Sequence, residues 1–117
     1  ELGLQKKNIE YVFRGLEEVT RPGGTAAGSA INVGGKKMGG KTGTSQVRSI
    51  SKAERLSGVL TNEQLSWNMR NHGLFVGYAP TDKPKYAVCI VTEHSGGSGP
   101  AARTAAAVMR SLLKEEQ

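Results

Sequence analysis

Apolar residues recur at Ile9, Val12, Phe13, Leu16 and Val19, while Lys6, Glu10, Glu17 and Glu18 fill the positions between them. Spacings of three and four put these apolar residues on one stripe of a helix from about Lys6 to Thr20. Pro22-Gly23-Gly24 ends it, since proline disfavours helical backbone in the residue before it and glycine frees the chain after it. From Gly23 to Gly40 the chain turns to Gly, Ala, Ser and Thr, with Ile31 and Val33 as its anchors, and reads as a loop. Lys41 to Ile50 mixes hydroxyl-bearing and β-branched residues, which predicts a strand with Val47 and Ile50 packing at its far end.

Residues 51 to 70 are polar. Short helices are expected around Ala53 to Leu56 and Asn62 to Met69, the second capped by Thr61 or Asn62. Leu74 to Ala79 and Tyr86 to Thr92 are apolar runs of strand length, and the turn-forming stretch Pro80 to Pro84 between them predicts a hairpin. Glycines at 96, 97 and 99 lead to Pro100, which is tolerated in a first helical turn. Ala101 to Lys114 then reads as an alanine-rich helix able to lie close on a sheet. The element order predicts an α+β fold of three antiparallel strands packed with N-terminal and C-terminal helices.

Composition narrows the picture. The chain has 117 residues, enough for one domain or part of one, and 37% hydrophobic residues with 16 glycines do not assure a self-sufficient core. The net charge of +6 raises a nucleic-acid reading, and Lys36, Lys37, Lys41, Arg48, Lys52 and Arg55 cluster. No helix-turn-helix, zinc-finger or aromatic-basic motif accompanies them, so no nucleic-acid partner is expected. A surface facing peptide carboxylates explains the sign equally well. Cys89 stands alone within an apolar run, which excludes an internal disulfide and predicts a buried thiol. His72 and His94 lack metal-ligand spacing and read as surface or hydrogen-bonding histidines, and no cofactor is expected. Trp67 reads as a loop anchor or a substrate-facing platform. No apolar segment of about 18 residues is present.

The stretch Gly39-Gly40-Lys41-Thr42-Gly43-Thr44-Ser45-Gln46-Val47 carries one cation and a ladder of hydroxyls between glycines. Lys-Thr-Gly is the third element of the serine penicillin-recognising set. Together with NHGLFVGYAP at 71 to 80 and YAVCIVTEHSGGSGP at 86 to 100, it resembles successive segments of class B penicillin-binding proteins of the elongation type. The resemblance covers nearly the whole chain and only the C-terminal part of that family's transpeptidase domain. It implies a partial penicillin-binding transpeptidase, serine β-lactamase-like domain over residues 1–117, holding the last three strands of a five-stranded sheet. Gly73-Leu74 departs from the Ala-Trp pair found in many members.

The resemblance implies a parent enzyme, a serine D,D-transpeptidase on the periplasmic face of the bacterial inner membrane. Its substrate would be a peptidoglycan stem peptide ending in D-Ala-D-Ala, its inhibitors β-lactams, and its associate a membrane glycosyltransferase. Within this chain Lys41 would supply positive charge, Thr42 and Thr44 hydroxyl donors for a terminal carboxylate, Gly43 an unobstructed strand face, and the Thr44 amide an oxyanion donor. Ser49-Ile50-Ser51-Lys52 matches Ser-x-x-Lys and Ser66-Trp67-Asn68 matches Ser-x-Asn, but both follow Lys-Thr-Gly where the family places them before it. The nucleophile is therefore expected upstream of Glu1, and this chain alone is expected to be inactive. The strand at 86–92 would lose its outer neighbour and offer an edge for a homodimer.

Two alternatives stand beside this reading. Residues 35–42 satisfy G-x-x-x-x-G-K-[ST], the phosphate loop of a nucleotide-binding module, although neither a buried strand before it nor a helix after it is expected. The other is a non-catalytic interaction domain that retains the motif unused.

Overall fold

The computed structural model describes residues 3–116. Its elements are α1 (Lys6–Glu18), β1 (Gly39–Ser45), α2 (Lys52–Ser57), β2 (His72–Ala79), β3 (Tyr86–Thr92) and α3 (Gly99–Glu115). The strands form one antiparallel sheet in the order β1-β2-β3. This is the expected α+β arrangement.

Strand alternation divides the sheet into two faces. Phe75, Gly77 and Ala79 of β2, with Val88 and Ile90 of β3, face α3, which buries Ala101, Ala102, Ala105, Ala106, Met109 and Leu113 against them. Those helix positions fall at spacings of three and four, and the alanines let the helix axis approach the sheet closely. Phe75, Met38, Met109 and Leu113 are the large side chains wholly removed from water. Burial of each contributes about 1.5–3 kcal/mol. The loop before β1 joins this core through Ala26, Ile31, Val33 and Met38.

Two glycines are required by close packing. A side chain at Gly40 would meet the Val76 carbonyl at 2.4 Å and the Phe75 ring at 2.5 Å, and one at Gly73 would meet the Gly97 carbonyl at 1.9 Å. The first lets β1 lie over Phe75. The second lets the turn after β3 close down on β2.

Several expectations are corrected. β1 begins two residues earlier than Lys41 and stops at Ser45, because Gly39 and Gly40 keep pairing with Tyr78 and Gly77 whereas nothing pairs beyond Ser45. Val47 is exposed as a result. The stretch 62–69 forms two separate 3₁₀ turns, Asn62–Gln64 and Trp67–Met69, and the first has a capping box between Thr61 and Gln64. α1 has its apolar stripe but buries none of its residues; Val12 is 61% exposed, and Phe13 meets Tyr78 edge-on at 5.2 Å. Tyr78 belongs to the sheet face opposite α3, so α1 covers one end of that face. Cys89 is exposed, because the two-residue period sends it, with Ala87 and Val91, away from α3.

The C-terminal end of α3 is tied to both neighbouring turns by one carboxylate. Glu116 accepts hydrogen bonds from Lys85 and Tyr86 and from Lys36 at 3.3 Å. Lys85 and then Tyr86 are the main reasons its carboxyl is held at about 2. A carboxyl whose folded value lies below its unfolded value of about 4.3 stabilises the fold above that unfolded value. That stability is lost as pH falls from about 4.3 toward 2. Thermal unfolding followed from neutral pH downward is expected to place Glu116→Gln below the unmodified protein at neutral pH, with the gap closing across this acid window. A gap that persists unchanged at the acid end would remove the network from the account.

Candidate functional site

β1 is an edge strand: β2 pairs with one side of it, and among the described residues no strand pairs with the other. Its register sets Lys41 opposite Val76, Thr42 opposite Phe75, Gly43 opposite Leu74 and Thr44 opposite Gly73. Thr42 and Thr44 therefore share one face of the strand, and Lys41 and Gly43 the other. The four residues lie together on one short edge, with the two hydroxyls side by side and the cation on the reverse.

Lys41 is exposed, and its ammonium donates to the Thr42 carbonyl at 2.7 Å. Among the described residues it makes no salt bridge, so its charge is uncompensated. A side chain at Gly43 would stand 3.3 Å from the Leu74 Cβ; the glycine keeps that part of the face low. Thr42 Oγ1 lies 3.3 Å from Thr25 Oγ1, which draws the Gly-Thr-Ala segment before the strand onto the motif. Sequence reading placed that segment in a leading loop and missed Thr25 as a neighbour of the motif.

The chain leaving β1 is pinned at once. Arg48 donates to both carboxylate oxygens of Glu54, at 2.8 and 2.5 Å, with both side chains largely covered. The hydrogen bond to Arg48 is the main cause that lowers the Glu54 carboxyl, and the same bond raises Arg48. The paired geometry is the bidentate one that arginine favours. Ser51 caps α2 by accepting the Glu54 amide at 3.1 Å. Two of the six clustered cations are thus engaged, Arg48 by Glu54 and Lys36 by Glu116.

Neither textual serine motif is assembled. Lys52 is the first residue of α2 and Ser51 its cap, so Ser49 lies outside the helix and cannot sit one helical turn from Lys52. Ser66 Oγ donates to Asn68 Oδ1 at 2.9 Å, on an exposed 3₁₀ turn. The phosphate-loop alternative is contradicted as well. Residues 33–36 close a tight bridge and Gly39–Ser45 is a strand, so no helix opens after Lys41 to present amides to a phosphate.

At the far end of β1 the polypeptide builds a clamp that local sequence did not announce. His72 Nδ1 accepts the His94 amide at 2.9 Å, the two imidazole centroids lie 4.5 Å apart with their planes tilted by 60°, and the Trp67 ring lies 4.5 Å from His94 at a tilt of 59°. Trp67 remains 60% exposed. It leans on the clamp without being buried.

An edge strand bearing an uncompensated ammonium, two neighbouring hydroxyls and free backbone groups can hold an anionic peptide terminus and polarise a carbonyl laid along it. The family model of the penicillin binding protein transpeptidase domain matches residues 1–114. The chain belongs to that family. It is 42% identical over 69 residues to the peptidoglycan D,D-transpeptidase MrdA of Acinetobacter baumannii, covering 59% of this chain and 10% of that protein. It is 31% identical over 107 residues to MrdA of Haemophilus influenzae, covering 91% of this chain and 16% of that one. Among solved structures it resembles penicillin-binding protein 2 of Helicobacter pylori, determined in complex with MreC, with a TM-score of 0.72, 26% identity, and coverage of 96% of this chain and 18% of that chain. The chain thus spans between a tenth and a fifth of the length of these relatives. These similarities agree with the C-terminal part of a transpeptidase domain inferred from the motifs.

Proposed function

We propose that the protein carrying this chain is a serine-type D,D-transpeptidase that cross-links peptidoglycan stem peptides ending in D-Ala-D-Ala during cell elongation, and that β-lactams acylate it. It works on the periplasmic face of the inner membrane beside a glycosyltransferase. The chain contributes the recognition strand: the hydroxyls of Thr42 and Thr44 donate to the terminal carboxylate, Lys41 on the reverse face sets a positive potential at the edge, Gly43 leaves the strand face open, and the Thr44 amide donates to the oxyanion. The nucleophile and its base come from elsewhere in the parent. The observation that carries this reading is the edge position of Gly39–Ser45 with its uncompensated lysine. Mapping the site of penicillin acylation in the full-length protein tests it.

A second proposal concerns the isolated chain. β3 is the other edge of the sheet, and its outward face exposes Ala87, Cys89 and Val91, the last at 56%. Val88 and Ile90, by contrast, turn toward α3 and are half-buried. An unblunted edge beside apolar side chains templates pairing with a second copy, and two-fold symmetry closes it. Sedimentation over a wide concentration range should show a dimer that Val91→Lys weakens. A monomer at high concentration, with rapid amide exchange along 86–92, would sink the pairing.

A further inference from the structure

The clamp beyond Ser45 has no part in the scheme above, yet it bears on Thr44 through a short chain of contacts. His72 is the first residue of β2 and pairs with Ser45, on the sheet face that carries Lys41. The amide it receives belongs to His94, which holds a left-handed backbone angle of φ 50°, a strained conformation for a residue with a side chain. An amide N–H can be accepted only by an unprotonated nitrogen, which assigns the His72 proton to Nε2. His94 Nδ1 lies 3.1 Å from the Arg70 carbonyl, which can only accept, so His94 carries its proton on Nδ1.

The turn held in this way is also gripped from its other end. The Gly96 amide donates to the Asn71 carbonyl at 2.9 Å, and Asn62 Nδ2 donates to the Gly96 carbonyl at 2.9 Å. The Gly97 carbonyl then occupies the space over Gly73, and Gly73 is the residue paired with Thr44 on one side and Thr92 on the other. We infer that His72 is a positioning residue for Thr44: its unprotonated Nδ1 fastens the 93–97 turn over Gly73, and protonation of that nitrogen releases the turn and loosens the oxyanion end of β1. This rests on the reading of β1 as the acyl-transfer strand.

Protonation replaces an acceptor by a donor that faces another donor, and it places a positive ring against the His94 ring. The charged and titratable groups on the segments packed around His72 are His94 and Glu93 on the turn, Arg70 and Glu63 on the connection before β2, and Lys41 on the neighbouring strand. Arg70 is committed to the Leu65 carbonyl at 3.1 Å. Neither Glu63 nor Glu93 hydrogen-bonds to an imidazole among the described residues.

The test uses the full-length protein with His72→Phe and His72→Asn, the latter because its Oδ1 can replace the lost acceptor. Acylation by a fluorescent penicillin and amide protection of residues 93–97, corrected for intrinsic exchange, are followed from about pH 8 to 5. His72→Phe is expected to acylate about tenfold more slowly at the upper end of this range, the equivalent of one lost hydrogen bond, with the gap closing toward the acid end, and to lose protection at 93–97. His72→Asn should restore the neutral rate and the protection, and should lack the part of the acid fall that the unmodified protein shows. Full-rate acylation by His72→Phe with the turn protected, or an unchanged acid fall in His72→Asn, would overturn the inference. If the unmodified protein is not acylated at any pH, the transpeptidase reading fails while protection still decides the clamp: acid-dependent opening abolished by asparagine supports it, and flat protection contradicts it.

Discussion

Lys41→Ala in the full-length protein is expected to slow acylation by a fluorescent penicillin by at least about tenfold. A charge-assisted hydrogen bond contributes roughly 1.5 to 3 kcal/mol, which corresponds to a factor of about 10 to 150 in rate if the contact is made in the transition state. In the isolated chain the ammonium reaches only the Thr42 carbonyl and has no salt bridge among the described residues, so no internal partner competes for it. Its removal should therefore cost little stability, and the loss should appear in acylation and not in the unfolding midpoint. Lys41→Arg makes a useful comparison, because it keeps the charge while changing its shape and reach. Unchanged labelling of Lys41→Ala would take this residue out of the site.

The parts of the fold legible in the sequence are those whose side chains report their own surroundings. β3 was found at its true bounds because seven consecutive strand-forming residues lie between a proline turn and a glycine cluster. α3 is legible because a segment dense in alanine, a strong helix former, follows a proline placed for a first helical turn. β1 is harder to bound: Gly39 and Gly40 have no side chains to alternate, and they are held in the strand by pairing with Tyr78 and Gly77 on the neighbouring one. Cys89 misled because an apolar run was read as buried on both faces, whereas α3 covers one. The clamp of His72, His94 and Trp67 joins residues up to 27 positions apart through a turn whose closure depends on Gly73, so no local pattern marks it. The stripe of α1 was correct as a period and gave no measure of burial, because burial depends on what lies opposite. Thr42, Gly43 and Thr44 could be named from the motif, and the two-residue period of a strand puts the two hydroxyls on one face and Lys41 on the reverse; which edge of β1 is paired follows from the sheet order alone.

The larger expected effect is complete loss. The 117-residue chain by itself should form no penicilloyl adduct, because recognition and oxyanion donors accelerate attack only by a nucleophile they are positioned around. Ser49 is outside α2 and Ser66 is bonded to Asn68, and among the described residues neither hydroxyl hydrogen-bonds to a lysine, histidine or carboxylate. Peptide-mapping mass spectrometry after penicillin treatment, run on the full-length protein and on this chain in parallel, measures this directly. The account predicts one adduct in the full-length protein, on a serine N-terminal to Glu1, and none on the isolated chain. A stable adduct on Ser49 or Ser66, or no adduct in the full-length protein, would contradict it.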